Sequence, residues 1–369
     1  MRKSANSFQV QVENFLLQKM ESGEWSVGQK IMSERELSAE LNVSRTTVRN
    51  AVLALTSRGY FERMIGQGTF IKRKPVREAG SSVSKGTLGY VVCKEKGKRL
   101  PIASEAFYFD VFSGIEEEVS RSGRHTLFTY LDDYDPDEIE QFNRFLDKVD
   151  GLVIEEARNT EFLERVVRDE IPAVLLAPTL VYEKLDLVSM DLASGVWKAV
   201  EYLRELGHEK IGIVNGPLHR DSARIRFDAW KQAIRAKGAD ISAELIDGNE
   251  DWSVDAGYRS MLRLLDRNPE MTAVFCANDL LAIGALSAMH ERSLRVPDDL
   301  SIVGFDDTEL ARHAVPPLTT MRIFSRDMAR SAARRVMERI DNGNLPAVRM
   351  EYPIELVVRK SCKEVNEGR

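Results

Sequence analysis

Cysteine is scarce in this sequence, and the spacing of the few cysteines excludes two classes of site. Of the 369 residues only three are cysteine, at positions 93, 276 and 362, and no two of them form a Cys-x-x-Cys pair. Disulfide-stapled folds need a dense, even set of cysteines, and cysteine zinc sites need closely spaced ones. We therefore expect no disulfide, no metal site and no cofactor.

Long apolar runs and the usual enzyme motifs are missing as well. No stretch approaches the ~20 consecutive apolar residues that a membrane-spanning helix needs. The basic start at Arg2 and Lys3 is soon interrupted by Gln9 and Glu13, which disfavours a signal peptide. There is no Gly-x-Ser-x-Gly elbow, no phosphate-binding glycine loop and no His-Glu-x-x-His, and the five histidines are scattered. We expect a cytoplasmic protein that contacts no membrane and is not an enzyme.

Charge of one sign is unevenly distributed along the chain. Residues 1–75 hold 12 Lys and Arg against 7 Asp and Glu, a net charge of +5. The remaining residues hold 40 against 51, a net charge of −11. A basic first segment on an acidic body is typical of a nucleic-acid-binding protein whose body stays away from the phosphates.

The stretch from Ser33 to Gly59 predicts two short helices separated by a tight turn. Ser33 and Glu36 have the spacing of a capping box, and Ser44 can cap the second helix. Four apolar residues recur at helical spacing in that second helix and should face inward: Val48, Ala51, Val52 and Leu55. The residues left on its outer face are basic or polar: Arg45, Thr46, Thr47, Arg49 and Asn50.

A glycine-hinged hairpin should follow the second helix. Two strand-like runs, 60–64 and 69–73, are joined by Ile65-Gly66-Gln67-Gly68. Two helices followed by such a hairpin form the layout of a winged helix-turn-helix, whose second helix reads DNA bases. A small packing module with a merely solvated arginine face is the alternative. The conjunction of basic first turn and glycine-rich tip favours DNA binding.

These residues resemble a known family of DNA-binding domains. Ser33-Glu34-Arg35-Glu36-Leu37, Val43-Ser44-Arg45-Thr46-Thr47-Val48-Arg49 and Gly66-Gln67-Gly68-Thr69-Phe70-Ile71 are similar to the reading domain of the GntR family of bacterial regulators, over about residues 8–72. The resemblance implies that Arg35, Arg45 and Arg49 contact DNA. It assigns supporting roles to Ser44, Thr46, Thr47, Gly66, Gln67 and Gly68.

The texture of the sequence changes after residue 75. Residues 76–86 are rich in Gly and Ser, a composition typical of flexible linkers. From 87 to 369, short apolar runs alternate with amphipathic helical stretches, the pattern of parallel sheets covered by helices. These runs, predicted as strands, are 88–92, 127–130, 151–154, 173–176, 211–214, 273–276 and 301–305. A segment of this length is too large for a single hydrophobic core, so we expect two lobes with a cleft between them.

Polar and aromatic residues follow several of the predicted strands, where parallel sheets bind their ligands. These candidate ligand-binding residues are Phe107, Tyr108, Arg226, Asn278, Asp279 and Asp306. Charged groups that bond hydroxyls, with rings nearby, suit a polyhydroxylated ligand. The alternative is that Asn278 and Asp306 only cap the helices that follow them.

The second segment also resembles a known family. Leu206-Gly207-His208, Asn215-Gly216-Pro217, Ala277-Asn278-Asp279, Val303-Gly304-Phe305-Asp306-Asp307 and Pro317-Leu318-Thr319-Thr320 are similar to the effector-binding body of LacI/GalR repressors. The resemblance implies that Arg226, Asn278 and Asp306 line an effector cleft, with Asp279 a weaker candidate. Residues at Ala177 and Ile323 lack the polar groups that often touch sugar in that family.

The expected fold is therefore a small α+β winged helix-turn-helix domain, followed by a two-lobed, periplasmic-binding-protein-like α/β domain with parallel sheets. The expected function is repression of transcription by a homodimer that binds a palindromic operator in double-stranded DNA and responds to a small polar effector, a carbohydrate. A secreted-type solute-binding protein, or an enzyme with an accessory DNA-binding domain, is the rival interpretation.

Overall fold

The chain divides into two compact units, residues 1–81 and 82–369. The computed structural model describes residues 12–13, 15–17, 19–20, 24–41, 43–57, 59–64, 68–72, 86–94, 106–177, 182–236, 241–248, 250–268, 270–343 and 345–365. The division falls inside the predicted linker 76–86, of which residues 76–85 lie outside the described ranges.

The described residues of the first unit form three helices and a two-stranded sheet. Helix α1 is described at residues 12–13, 15–17 and 19–20, and is followed by α2 (Glu34–Glu40), α3 (Arg45–Ser57), β1 (Phe61–Met64) and β2 (Gly68–Ile71). The predicted capping box is present: Ser33 accepts a hydrogen bond from the Glu36 amide, and the Glu36 carboxylate accepts one from the Ser33 amide. After α3 the backbone reverses at Gly59, whose φ of 78° favours glycine.

The core of the first unit confirms the predicted inner face of α3. Val48, Ala51, Val52 and Leu55 are buried. They pack with apolar side chains from every other element of the unit, including Leu16, Leu37, Phe61 and Ile71. The strands pair antiparallel, with Phe61 opposite Ile71. Because this packing holds the apolar face of α3 against the core, the opposite, polar face of the helix must point toward solvent.

The second unit alternates strands and helices. Its strands are β3 (Thr87–Cys93), β4 (His125–Leu131), β5 (Gly151–Glu155), β6 (Ala173–Leu176), β7 (Asp186–Met190), β8 (Ile211–Asn215), β9 (Ile246–Gly248), β10 (Ala273–Cys276), β11 (Ser301–Asp306), β12 (Thr319–Arg322), β13 (Arg349–Tyr352) and β14 (Glu355–Val357). Its helices are α4 (Ala106–Arg121), α5 (Pro136–Leu146), α6 (Thr160–Arg168), α7 (Leu192–Glu205), α8 (Asp221–Ala236), α9 (Val254–Arg267), α10 (Asp279–Glu291), α11 (Glu309–His313) and α12 (Ser325–Asn342).

Two six-stranded sheets define two lobes. The first lobe has the strand order β13-β7-β6-β5-β3-β4, and every neighbouring pair is parallel. The second lobe has the order β14-β12-β11-β10-β8-β9, in which β14 alone runs antiparallel to its neighbour. The chain passes between the lobes after β7, after β12 and after β13. The expected two-lobed parallel α/β fold is confirmed.

Candidate functional site

The first unit presents a basic, hydroxylated surface on α3. Arg45, Thr46 and Arg49 are exposed, whereas Thr47 is half-buried. The Oγ of Ser44 accepts a hydrogen bond from the Thr47 amide at 3.1 Å and lies 2.7 Å from the Thr47 hydroxyl, so it caps the helix as predicted. A cap at this position orders the first turn of α3, whose exposed face includes Arg45.

The arginines on this surface keep their charge available. Arg35, at the exposed start of α2, and Arg45 and Arg49 of α3 form no ion pair with any described residue. A solvent-exposed guanidinium that forms no ion pair can bind a phosphate group or the edge of a base. The structure thus brings all three predicted arginines to the surface of one small unit.

The hairpin tip is only partly described. Gly66 and Gln67 lie outside the described residues, whereas Gly68 opens β2 with a φ of 121°. A Cβ at Gly68 would lie 2.6 Å from the Cε of Lys30, in addition to the strain of that backbone conformation. Lys30 itself pairs with Phe70 as an isolated bridge beside the hairpin.

The second unit contains a cavity of about 540 Å³ between its lobes. Its walls come from both sheets at the carboxyl ends of their strands, as expected for open parallel sheets. The lining residues are Phe107, Tyr108, Glu155, Glu156, Ala177, Leu187, Ser189, Met190, Leu192, Arg220, Asp221, Ser222, Ile225, Arg226, Trp252, Asn278, Leu280, Asp306, Thr308, Ile323, Arg349 and Glu351.

Five of the six predicted ligand-binding residues meet in this cavity: Phe107, Tyr108, Arg226, Asn278 and Asp306. The Nη2 of Arg226 lies 3.7 Å from the Oδ1 of Asp306. The same guanidinium lies 4.4 Å from the ring centre of Phe305 and 5.5 Å from that of Trp252. The rings of Phe107 and Tyr108 meet edge to face, 5.6 Å apart. The arrangement combines hydrogen-bonding charges with aromatic walls.

The helix-cap alternative holds for one of the two residues it concerned. Asn278 caps α10 by accepting from the Leu281 amide at 2.8 Å, and its Nδ2 donates to the Trp252 carbonyl at 3.3 Å. It nevertheless lines the cavity. Asp306 caps no helix, because Thr308 caps α11. Its φ of 118° is strained for a non-glycine residue, and such strain concentrates at functional sites.

Asp279 does not line the cavity, which corrects its place among the predicted ligand-binding residues. Its side chain is fully buried, and it accepts hydrogen bonds from the Thr308 amide at 2.7 Å and the Thr320 hydroxyl at 2.6 Å. Burial raises the pKa of this carboxyl to about 6. Its contacts fix the loop after β11, so it acts on the cavity through Thr308.

The sequence analysis missed many of the cavity residues, among them Glu155, Glu156, Arg220 and Trp252. Glu155, at the end of β5, accepts a hydrogen bond from the Tyr90 hydroxyl and is fully buried. Glu156 accepts from the Tyr108 hydroxyl at 2.9 Å and forms an ion pair with Arg220, which lies just before α8 of the other lobe. The two glutamates follow a predicted strand, so the strand-end rule could have found them. Nothing in the sequence pattern marked Trp252.

Other functional features are absent from the described ranges. No described helix is long and apolar enough to cross a membrane. Across the same residues, no three His, Cys, Asp or Glu side chains cluster as metal ligands. Ala177 and Ile323, noted for lacking polar groups, both line the cavity.

Comparisons with known proteins agree with this division of the chain. Residues 8–71 match the family of bacterial regulatory proteins called gntR, and residues 200–362 match the periplasmic binding protein-like domain family. The repressor PurR of Haemophilus influenzae is 34% identical over 273 residues, which cover 71% of this chain and 80% of that protein. The regulator DegA of Bacillus subtilis is 33% identical, over 72% of this chain and 80% of its own length.

Solved structures show the same relationship. A complex of the transcriptional regulator CelR with cellobiose has a TM-score of 0.67 and 25% identity, covering 90% of this chain and all of that one. The chain therefore belongs to the bacterial transcriptional regulators with a LacI-type, periplasmic-binding-protein-like body, and it carries a GntR-family DNA-binding domain in front of that body.

Proposed function

We propose that this regulator is a repressor whose affinity for its operator is set by a small carbohydrate bound in the cavity between the lobes. The observation that carries the proposal is the meeting of Arg226, Asn278 and Asp306, which come from helix α8, the loop after β10 and the end of β11. Polar groups that converge from separate elements beside aromatic walls are typical of a small-molecule site. CelR, a structural relative, was crystallised with cellobiose.

The DNA contacts belong to α3 in this proposal. Arg45 and Arg49 are one turn apart on its exposed face, so both can enter the same groove. Arginine binds guanine bidentately, and such a pair contributes about 1–3 kcal/mol of base discrimination. Arg35 and the hydroxyls of Ser44, Thr46 and Thr47 would then fix the helix against phosphates. The 66–68 tip would approach the backbone beside them.

The ligand contacts follow from the chemistry of the cavity. The Asp306 carboxylate accepts hydrogen bonds from sugar hydroxyls, and the Arg226 guanidinium donates to them. Phe107, Tyr108 and Trp252 cover the apolar faces of a sugar ring. Because these residues come from both lobes, a bound ligand stabilises one relative arrangement of the lobes over others.

The protein should act as a homodimer in the cytoplasm and have no catalytic activity. Two copies related by a two-fold axis present two α3 helices to the two halves of a palindromic operator. The supporting relatives are transcriptional repressors or regulators.

A binding experiment tests the proposal. The protein first selects its preferred duplex from a random-sequence pool, and the affinity for that duplex is then measured by fluorescence anisotropy with a sugar panel. We expect one neutral sugar to lower the affinity for the duplex. A protein that selects no duplex would contradict DNA recognition, and one that responds to no sugar would contradict the effector assignment.

A further inference from the structure

The charges inside the cavity restrict the class of effector. Five carboxylates line the cavity against three guanidinium groups. The side chains of the most enclosed members are less than one-fifth exposed: Glu155, Glu156 and Asp306 on the acidic side, and Arg220 and Arg226 on the basic side. An excess of cationic over acidic side chains favours the binding of an anion. This cavity has the opposite balance.

Both enclosed guanidinium groups already face carboxylates of the same cavity. Arg226 lies 3.7 Å from Asp306 and is held over the rings of Phe305 and Trp252. Arg220 is paired with Glu156, whose other oxygen accepts from Tyr108. A phosphate or sugar carboxylate entering here would have to displace one of these carboxylates from its arginine.

The remaining charged groups that line the cavity are less enclosed and do not change that balance. Asp221 is paired with Arg224, which does not line the cavity. Arg349 and Glu351 lie two residues apart on β13, so they project from the same face, and both are exposed. Exposed charges are screened by water and salt, so they contribute little to selection inside the cavity.

We infer that the effector is an uncharged carbohydrate and that the cavity rejects sugar phosphates and sugar acids. This inference rests on the proposed function, because it refines the ligand of the same cavity. Glu156 sets the selectivity: its carboxylate neutralises Arg220, the less buried of the two enclosed guanidinium groups. Glu155 is fully buried at the cavity wall and adds a second acidic group, which disfavours the binding of an anion.

A quenching experiment tests the charge selectivity without knowledge of the effector. Trp252 lines the cavity, and its emission is obtained by subtracting the spectrum of the Trp252→Phe variant from that of the full chain. Acrylamide, a neutral quencher, should reach Trp252. Iodide, an anionic quencher, should reach it much less well. The ratio of the iodide to the acrylamide quenching constant of Trp252 should be at least threefold lower than the same ratio for free N-acetyltryptophanamide.

A pair of variants assigns the effect to Glu156. Glu156→Gln removes the carboxylate charge paired with Arg220, so the iodide constant of Trp252 should rise at least twofold while the acrylamide constant stays unchanged. Glu201→Gln makes the same change of charge at an exposed position on α7 and should leave both constants unchanged. The inference is overturned if iodide reaches Trp252 as readily as the reference compound, if acrylamide does not reach it, or if the two variants behave alike.

Matched ligands separate this inference from the proposed function. Thermal unfolding of the full chain is followed with D-glucose, D-ribose or D-galactose, and with D-glucose 6-phosphate, D-ribose 5-phosphate or D-galacturonate. Stabilisation by a neutral sugar, at least tenfold tighter than by its charged counterpart, supports the inference. Tighter binding of a charged counterpart overturns it but leaves a carbohydrate effector in place. Stabilisation by neither class counts against the proposed function, and the quenching result then decides the charge selectivity alone.

Discussion

Arg226 shows how single residues shape the candidate effector cavity. Burial lowers the pKa of its guanidinium, and the nearby Asp306 carboxylate acts to raise it. A charge buried to this degree stays in place only because it is paired, and removing one partner costs several kcal/mol, about 3–5 in typical cases. The Arg226–Asp306 pair is therefore poised to exchange its mutual contact for contacts with ligand hydroxyls.

Asp306→Ala should abolish the response to effector and leave operator binding without effector intact. The carboxylate is lost from the ligand site, at a cost of about 2–5 kcal/mol in ligand affinity by analogy with truncated buried pairs. Calorimetric titration with the sugar found in the panel measures the loss. Glu201→Ala is the control, since Glu201 is exposed and lies outside the cavity. Undiminished sugar binding by Asp306→Ala would remove Asp306 from the site.

Arg45→Ala and Arg49→Ala should each weaken binding to the selected duplex, with no change in melting temperature. Each variant removes a contact worth about 1–3 kcal/mol of base discrimination, which is about 5–150-fold in affinity. Anisotropy titration checks this, with Arg168→Ala as the control because Arg168 is an exposed arginine of the second unit. Wild-type affinity in both α3 variants would show that α3 does not read the DNA.

Some site residues could be predicted from the sequence and others could not, for physical reasons. Arg226, Asn278 and Asp306, which the resemblance to LacI/GalR repressors assigned to a cleft, all line the cavity. Asp279 stands beside Asn278, but its side chain turns inward to bond Thr308 and Thr320. Sequence spacing does not reveal that turn, because it depends on the distant strand β12.

At the scale of elements, most of the strands found from the sequence are buried on both faces, although the run 127–130, which became β4, is mainly half-buried. The predicted strands β5, β6 and β10 are buried along their whole lengths, so they are continuous apolar runs. By contrast, β13 alternates exposed and half-buried residues and β14 has only three residues, both at sheet edges. Such short, charged edge strands carry too weak a pattern to predict from the sequence.

Asp279 links three elements and should make stability depend on pH. Its pKa rises from 3.8 to about 6 in the folded protein because of burial. The folded state therefore holds this proton at a pH where the unfolded chain has released it, so this group's stabilising contribution is full below pH 3.8 and is lost as the pH rises through about 6. The difference amounts to about 3 kcal/mol.

Urea unfolding between pH 4 and pH 7, on the wild type and Asp279→Asn, measures this effect. An asparagine can still accept from the Thr308 amide, and it cannot titrate. The difference in free energy of unfolding between the two proteins should change by about 2 kcal/mol across that range, in the direction that disfavours the wild type at higher pH. A difference independent of pH would show that Asp279 does not titrate in this window.

At the scale of the whole molecule, the uneven charge predicts two kinds of salt dependence. The first 75 residues carry a net charge of +5 and the rest −11, so only the DNA-binding unit should release counterions from the duplex. The logarithm of duplex affinity should fall linearly with the logarithm of salt concentration. Arg45→Ala should reduce that slope by about 1 if Arg45 contacts a phosphate, and leave it unchanged if it contacts bases alone. The affinity for a neutral sugar should not change with salt, and a salt-independent duplex affinity would contradict this assignment.

The coupling between the two units is the central claim, and it is reciprocal by thermodynamic necessity. If the sugar changes duplex affinity by some factor, the duplex must change sugar affinity by the same factor, typically about 1–3 kcal/mol of coupling. The most direct measurement is therefore a calorimetric titration of the full chain with the sugar, in the presence and in the absence of the selected duplex. We predict that the sugar binds about 5–150-fold more weakly when the duplex is bound. Equal affinities in the two titrations would contradict control of DNA binding by the ligand.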